Sequence, residues 1–434
     1  MNQGTNTFTK RHLWMTLGFC AVFALLFGGA ERLFFSKTLY STTWTRIRET
    51  ASVPDVLIMG NSHAFCSFVP DILNGSLGID SAVLSASGQD AHGTTDSFET
   101  VLKTGTPRLV VLEMNAFVFR SGTMAKEHKT FALGNINGMP GLARRAIVAE
   151  RELGLDSVPQ GAFQLLRSEL MWSRWTELFS PKDPNRYKAQ DVLGYQFLNW
   201  FAGGDYDSRN IIVEEPAQSA APSGLFDAES QRELRRFLSL AQTHGVEVWL
   251  VKTPIAGSLF SYPLPMDAAA MIAAEYPGTV TLCRDFGRDL PALGFTSADF
   301  FDGGHLNRRG AAKFTRWFAD ILGERQGITP NPGKAFAYAD ESITTQADGT
   351  YQYTMQATGE NVLYRFELVE DGEARLLMDW SPVNTLIVPV PPEQAESIVV
   401  SMCPVPEPGS PATALVDESA VLTLPFMTQN RHMI

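Results

Sequence analysis

PDVLIMGNSHAFCSFVP, residues 54–70, decides how the rest of the chain is read. An apolar run, Val56 to Met59, stops abruptly in Gly60-Asn61-Ser62-His63. A run this short, bounded by a proline and a glycine, fits a strand buried on both faces of a parallel sheet. Ser62 then stands where such a strand ends. A serine there is either a turn residue or a nucleophile raised at the edge of the sheet.

The same kind of run recurs. RLVVLEMN (108–115), VEVWLVKTP (246–254) and TVTLCRDF (279–286) are short, apolar and bounded by Gly, Pro or Asn, and Val83-Leu84 marks another. Helical patterns lie between them. Asp227 opens AESQRELRRFLSLAQTHG, Gly245 closes it, and Leu234, Phe237, Leu238 and Ala241 share one face. Residues 308–324 place Ala312, Phe314, Trp317, Phe318 and Ile321 in the same way. Strands alternating with helices predict an α/β domain with a doubly wound parallel sheet over residues 50–328.

The alternation breaks down between 120 and 222, which reads as an insertion of short helices and loops over the sheet. Its aromatics, Trp172, Trp175, Tyr187, Tyr195, Trp200 and Tyr206, either form a small core of their own or stack on sugars. Pro330, Pro332 and Gly333 mark a linker. Beyond it, YQYTMQA, NVLYRFELVE, EARLLMDW, TLIVPV, SIVVSMC and AVLTLPF are strand-like runs with no helical period. Residues 335–434 are therefore expected to form an all-β, sandwich-like accessory domain. It either faces carbohydrate or packs on its neighbour.

Composition narrows the function. A net charge of −12 and a pI near 5.1 give no basic footprint for phosphates, so nucleic acid is not an expected partner. Cys20, Cys66, Cys283 and Cys403 are scattered without metal-ligand spacing and imply no disulfide framework. The seven histidines form no HExxH-like group, and neither a metal nor an organic cofactor is expected. Lys10-Arg11-His12 precedes an uncharged run, Leu13 to Ala30, just long enough to span a bilayer. Basic residues before it favour residues 1–12 in the cytoplasm and the bulk of the chain outside. The expected segment is an uncleaved single-pass anchor at 13–30; a cleaved signal peptide is the alternative, given Gly28-Gly29-Ala30.

A serine hydroxyl is a poor nucleophile until a base takes its proton, and the base needs an orienting acid. FFDGGHLNRRGAAKF (300–314) offers both, with Asp302 three residues before His305 in a glycine-containing loop ahead of a helix. In an open parallel sheet, loops leaving the carboxyl ends of strands meet at one edge. Oxyanion donors are expected there too: the Ser62 amide, Gly88 in LSASGQDAHG, and the Asn115 side chain. His63 is a second base or a helix residue facing substrate, and Lys252 ends a strand where it would meet an anionic substrate.

In this order, Gly60-x-Ser62, Gly88, Asn115 and Asp302-x-x-His305 resemble the blocks of the SGNH/GDSL hydrolase superfamily, over residues 54–325. The resemblance implies Ser62 as nucleophile, His305 as base, Asp302 as its partner, and Gly88 and Asn115 as oxyanion donors. Two blocks depart from the pattern: Asn61 precedes the serine where Asp is usual, and Glu113-Met114-Asn115-Ala116 replaces Gly-x-Asn-Asp. GNSH together with the anchor is similar to a membrane-anchored subset, the alginate O-acetyltransferase-type and D-alanyl transfer proteins of bacterial envelopes. That likeness implies a single-pass protein of the bacterial inner membrane with its catalytic domain in the periplasm. It also implies an acylated polysaccharide or small acyl ester as substrate and a multi-spanning membrane acyltransferase as partner. Hydrolysis and transfer stay open, as do a non-catalytic scaffold or carbohydrate-binding protein and a lipid-ester hydrolase.

Overall fold

The computed structural model describes residues 10–33, 41–118, 129–167, 226–255, 266–290, 292–296, 299–301, 304–331, 336–359, 361–370, 373–404 and 421–426. Five strands, β1 (Val56–Gly60), β2 (Ser81–Ser85), β3 (Leu109–Glu113), β4 (Glu247–Lys252) and β5 (Val280–Asp285), form one sheet. All pair in parallel, in the order β2-β1-β3-β4-β5. Every residue of β1, β2 and β3 is buried, which is why their sequences do not alternate. Val56 and Ile58 enter the core on one face; Leu57 and Met59 enter the core on the other. β5 is the edge strand and is only partly buried, as Thr281 and Arg284 allow.

Helices cover both faces. In chain order they are α1 (Lys10–Leu33), α2 (Ser41–Thr50), α3 (Ser62–Ser67), α4 (Pro70–Leu77), α5 (Ala91–Leu102), α6 (Lys129–Gly138), α7 (Leu142–Leu153) and α8 (Val158–Ala162). α9 (Ala228–His244), α10 (Met266–Ala273) and α11 (Arg308–Gln326) follow. α3, α4 and α11 supply Phe65, Leu73, Phe314 and Phe318 to the first core. α2, α5, α6, α7, α9 and α10 line the second with Trp44, Phe98, Ile136, Val148, Phe237 and Ala269. The caps follow the sequence signals: Asp227 accepts from the Ser230 amide, and Gly245 is left-handed at φ 69°. α6 to α8 are the described part of the expected insertion; its six aromatics, from Trp172 to Tyr206, lie outside the described residues.

The chain beyond α11 forms two antiparallel sheets. β6 (Ala337–Thr345), β7 (Tyr351–Thr358), β8 (Val362–Glu370), β9 (Glu373–Ser381), β10 (Thr385–Val388), β11 (Ile398–Pro404) and β12 (Leu422–Pro425) are ordered β10-β7-β6 and β12-β11-β8-β9. Tyr353 of the first sheet meets Phe426, at the end of β12, edge to face at 5.0 Å. The two sheets share one core cluster with α3, α4 and α11, so this region packs on its neighbour. Arg308, fully buried at the start of α11, joins them. Its guanidinium pairs with Glu341, donates to the Pro425 carbonyl at 2.6 Å and lies 5.0 Å from the Tyr338 ring. β6 escaped the sequence reading because Asp340 and Glu341 interrupt it. Glu341 is nevertheless buried, since Arg308 neutralises it.

α1 exposes Trp14, Phe19, Leu25 and Leu26. Its span His12–Glu31 has a mean hydropathy of 1.9 and is long and apolar enough to cross a bilayer. Its last turn is tied to the body of the protein: the Glu31 carboxylate accepts the Gln164 and Leu165 amides, each at 2.7 Å. Phe27 packs edge-on against Phe163 at 5.1 Å.

Candidate active site

The turn after β1 is built by its backbone. Gly60 sits at φ 153°, and a Cβ there would lie 2.8 Å from Glu113 Cβ on the neighbouring strand. Only glycine permits that approach. Asn61, 1% exposed, caps α3 by accepting the His63 amide at 3.1 Å. An amide does this without burying a charge, a physical reason for Asn in place of Asp. Ser62 is the first helical residue, so its own N–H has no carbonyl within α3 to bond.

His305 is set by the other end of the same layer. Asn307 caps α11, accepting the Arg309 and Gly310 amides at 3.0 and 3.1 Å. A Cβ on Gly310 would lie 2.0 Å from the Asp299 carbonyl, so glycine lets the preceding loop fold tightly onto the helix. The Phe301 amide donates to the His305 carbonyl at 2.8 Å, and Phe300 bridges Leu306. Thr315 Oγ1 then ties α11 to the end of α3, donating to the Ser67 carbonyl at 3.1 Å and accepting from the Val69 amide at 3.0 Å. Phe68 packs between Phe314 and Phe318 at 5.2 and 5.0 Å.

These constraints bring His305 Nε2 to 2.8 Å from Ser62 Oγ, across 243 residues of sequence. That is hydrogen-bonding distance for a base and the hydroxyl it would deprotonate. The expected orienting acid, Asp302, lies outside the described residues. Asp299 is wholly buried; its Oδ2 accepts the Thr296 amide at 2.8 Å and Lys313 Nζ at 3.0 Å, and its Oδ1 lies 3.4 Å from Arg309 Nε. His63 is 6% exposed, and its ring stacks on His305 at 4.9 Å with 25° between the planes.

The candidate oxyanion donors leave the two strands flanking β1. Gly88 lies on the loop after β2 at φ 60°, in a turn closed by the Gln89 amide on the Ala86 carbonyl at 3.1 Å. Asn115 follows β3. Its amide nitrogen Nδ2 donates to Glu113 Oε1 at 2.7 Å, and its backbone N–H donates to Glu113 Oε2 at 3.1 Å. Burial pushes the Glu113 carboxyl up to about 8, against the pull of the Asn115 and Thr253 N–H groups and of Lys252. Lys252 Nζ is 3.4 Å from Asp285 Oδ2, and the side chain is nearly inaccessible, inside a strand-end charge pair.

His92, Glu229 and Glu233 are the described trio whose ligand atoms lie close enough to hold a metal, all within 4.8 Å of one another. His92 Nε2 is 3.0 Å from Glu229 and its Nδ1 is 3.4 Å from Glu233. Arg232 and Arg236 already compensate these carboxylates, so the cluster reads as a clasp between α5 and α9. The sequence showed no grouping here because the residues come from two helices far apart in the chain. Neither a family model nor a curated protein matches the chain.

Proposed function

We propose that the chain is a membrane-anchored serine acyl-ester enzyme of the SGNH type, acting on the acyl groups, most simply acetyl, of an envelope polysaccharide outside the cytoplasm. One observation carries this reading: Ser62 Oγ and His305 Nε2 at 2.8 Å, at the carboxyl edge of a parallel sheet. Ser62 Oγ attacks the acyl carbonyl while His305 Nε2 takes the hydroxyl proton. The tetrahedral oxyanion draws on the Ser62 amide, Gly88 and Asn115. His305 returns the proton to the departing alkoxide, leaving an ester on Ser62. A sugar hydroxyl or water, deprotonated in turn by His305, then attacks that ester and frees Ser62.

Further support comes from the strand order: Ser62, Gly88 and Asn115 follow three adjacent parallel strands, at their carboxyl ends. The apolar α1 and the tie from Glu31 to Gln164 and Leu165 suit a domain held close to a bilayer surface. The test is labelling of the full-length protein in detergent with a fluorophosphonate, alongside turnover of p-nitrophenyl acetate. Both are expected in the native chain and both vanish in Ser62→Ala and His305→Ala. A well-folded native protein that neither labels nor turns over the ester would move the function to a non-catalytic envelope scaffold.

A further inference from the structure

A narrow recess opens beside Gly88, walled by Gln89, Gly93, Asn135 and Glu152. It is open to solvent and has room for a single water-sized group. Two of its side chains are more than nine-tenths buried and hold an oxygen with no hydrogen-bond partner: Gln89 Oε1 and Glu152 Oε1. At its other end Gln89 Nε2 donates to Thr94 Oγ1 at 3.0 Å. Asn135 is satisfied at both ends, by Trp44 Nε1 and by Ser97 Oγ, and serves as wall. Gly93 keeps the space open: a Cβ there would lie 3.1 Å from Gln89 Cγ and 3.6 Å from each Glu152 oxygen. A buried polar atom without a partner is unfavourable, and two on residues that line one recess mark a place for a ligand that donates hydrogen bonds.

We infer that this recess is the subsite that holds a hydroxyl of the acceptor sugar, through Gln89 Oε1 and the Glu152 carboxyl. The inference rests on the acyl-transfer reading of Ser62. The recess follows β2, and Ser85 pairs in register with Gly60 of β1. Gly88, the oxyanion donor of that reading, is part of the recess wall, so a group seated there lies beside the proposed reaction centre. An anion is disfavoured because the two oxygens are acceptors. A cation is disfavoured because burial, and then the neighbouring Asp90 and Asp96, push the Glu152 carboxyl above its ordinary range, toward its uncharged form. Protonated, that carboxyl beside the Gln89 carbonyl would offer one donor and two kinds of acceptor, which a hydroxyl, donor and acceptor at once, satisfies in full.

The test measures binding apart from turnover, on full-length Ser62→Ala protein in detergent. Saturation-transfer NMR compares methyl β-D-glucopyranoside with tetrahydropyran, the same ring without hydroxyls. Saturable binding is expected for the glycoside and none for the ether. Gln89→Leu and Glu152→Leu each weaken the glycoside about tenfold, the size of a lost hydrogen bond. Glu152→Gln, which keeps a neutral donor and acceptor, leaves binding nearly unchanged. Equal binding of the ether, no saturable glycoside binding, or a loss in Glu152→Gln as large as in Glu152→Leu would each overturn the subsite. Fluorophosphonate labelling of the native chain is read separately: its absence would remove the acyl-enzyme chemistry while the glycoside result still judged the recess.

Discussion

Two polar clusters lie three residues apart on one segment, His305 at the sheet edge and Arg308 at the junction with the C-terminal sheets, and they are treated in opposite ways. Arg308 is enclosed, with Glu341, the Pro425 carbonyl and the Tyr338 ring around it. Its interactions are all internal, and it is shut off from solvent. His305 is partly accessible, and its Nε2 contact is a serine hydroxyl, a group that can exchange that hydrogen bond for a reaction. A buried ion pair of the first kind fixes how two parts of a protein sit. A hydroxyl–imidazole pair of the second kind adds little stability, since net hydrogen-bond contributions are about 1 kcal/mol. Asn307 stands between them and caps the helix that both depend on.

The contrast is broken most directly at Ser62. Ser62→Ala is expected to lower ester turnover on the order of 10⁴-fold or more while its urea midpoint stays close to that of the native chain. A large loss of stability would place Ser62 with the structural cluster instead. Arg308→Ala should show the opposite pattern. It strands the buried Glu341 carboxylate and is expected to destabilise by about 3–5 kcal/mol, measured by urea unfolding. The paired replacement Arg308→Met with Glu341→Leu removes both charges and should recover most of that loss.

Asn115→Ala sharpens the comparison from within the edge. If its amide meets the oxyanion, kcat for p-nitrophenyl acetate falls by about 10²–10³-fold with KM little moved. A change confined to KM would make Asn115 a wall of the site.

Much of this arrangement was legible in the chain. Val56–Met59 and its counterparts announced a parallel sheet because strands buried on both faces have no polar position to disguise them. Asp227 and Gly245 marked α9 because capping is a local matter. Ser62 and His305 were findable because both follow strand or loop signals with fixed local partners. What stayed hidden is long-range. Glu152 reads as one acid in the charged helix LARRAIVAEREL, and only the packing of α7 against α5 brings it to Gln89. Glu341 reads as a strand breaker until Arg308, 33 residues earlier, is seen to pair with it. The stacking of His63 on His305 likewise depends on how α3 and α11 meet, which no spacing within either segment encodes.

The smallest effect concerns Glu113, which belongs to the edge by position and to the buried kind by exposure. Its carboxyl is raised from about 4.5 to about 8 by burial. The unfolded chain therefore gives up this proton at a lower pH than the folded one. Its contribution to stability is fully present below about 4.5 and is lost as pH rises through about 8, with a slope of at most about 1.4 kcal/mol per pH unit. Glu113→Gln should flatten that slope in a series of melting temperatures between pH 5 and pH 8.5. It should also lower kcat, because the glutamine amide replaces one of the two acceptors that hold Asn115 with a donor. If the slope survives the substitution while kcat falls, the folded carboxyl is already ionised at pH 5, held by the N–H groups of Asn115 and Thr253. A charged acceptor would then fix Asn115, and the edge would contain a buried charge kept for positioning, as the junction keeps Glu341 for packing.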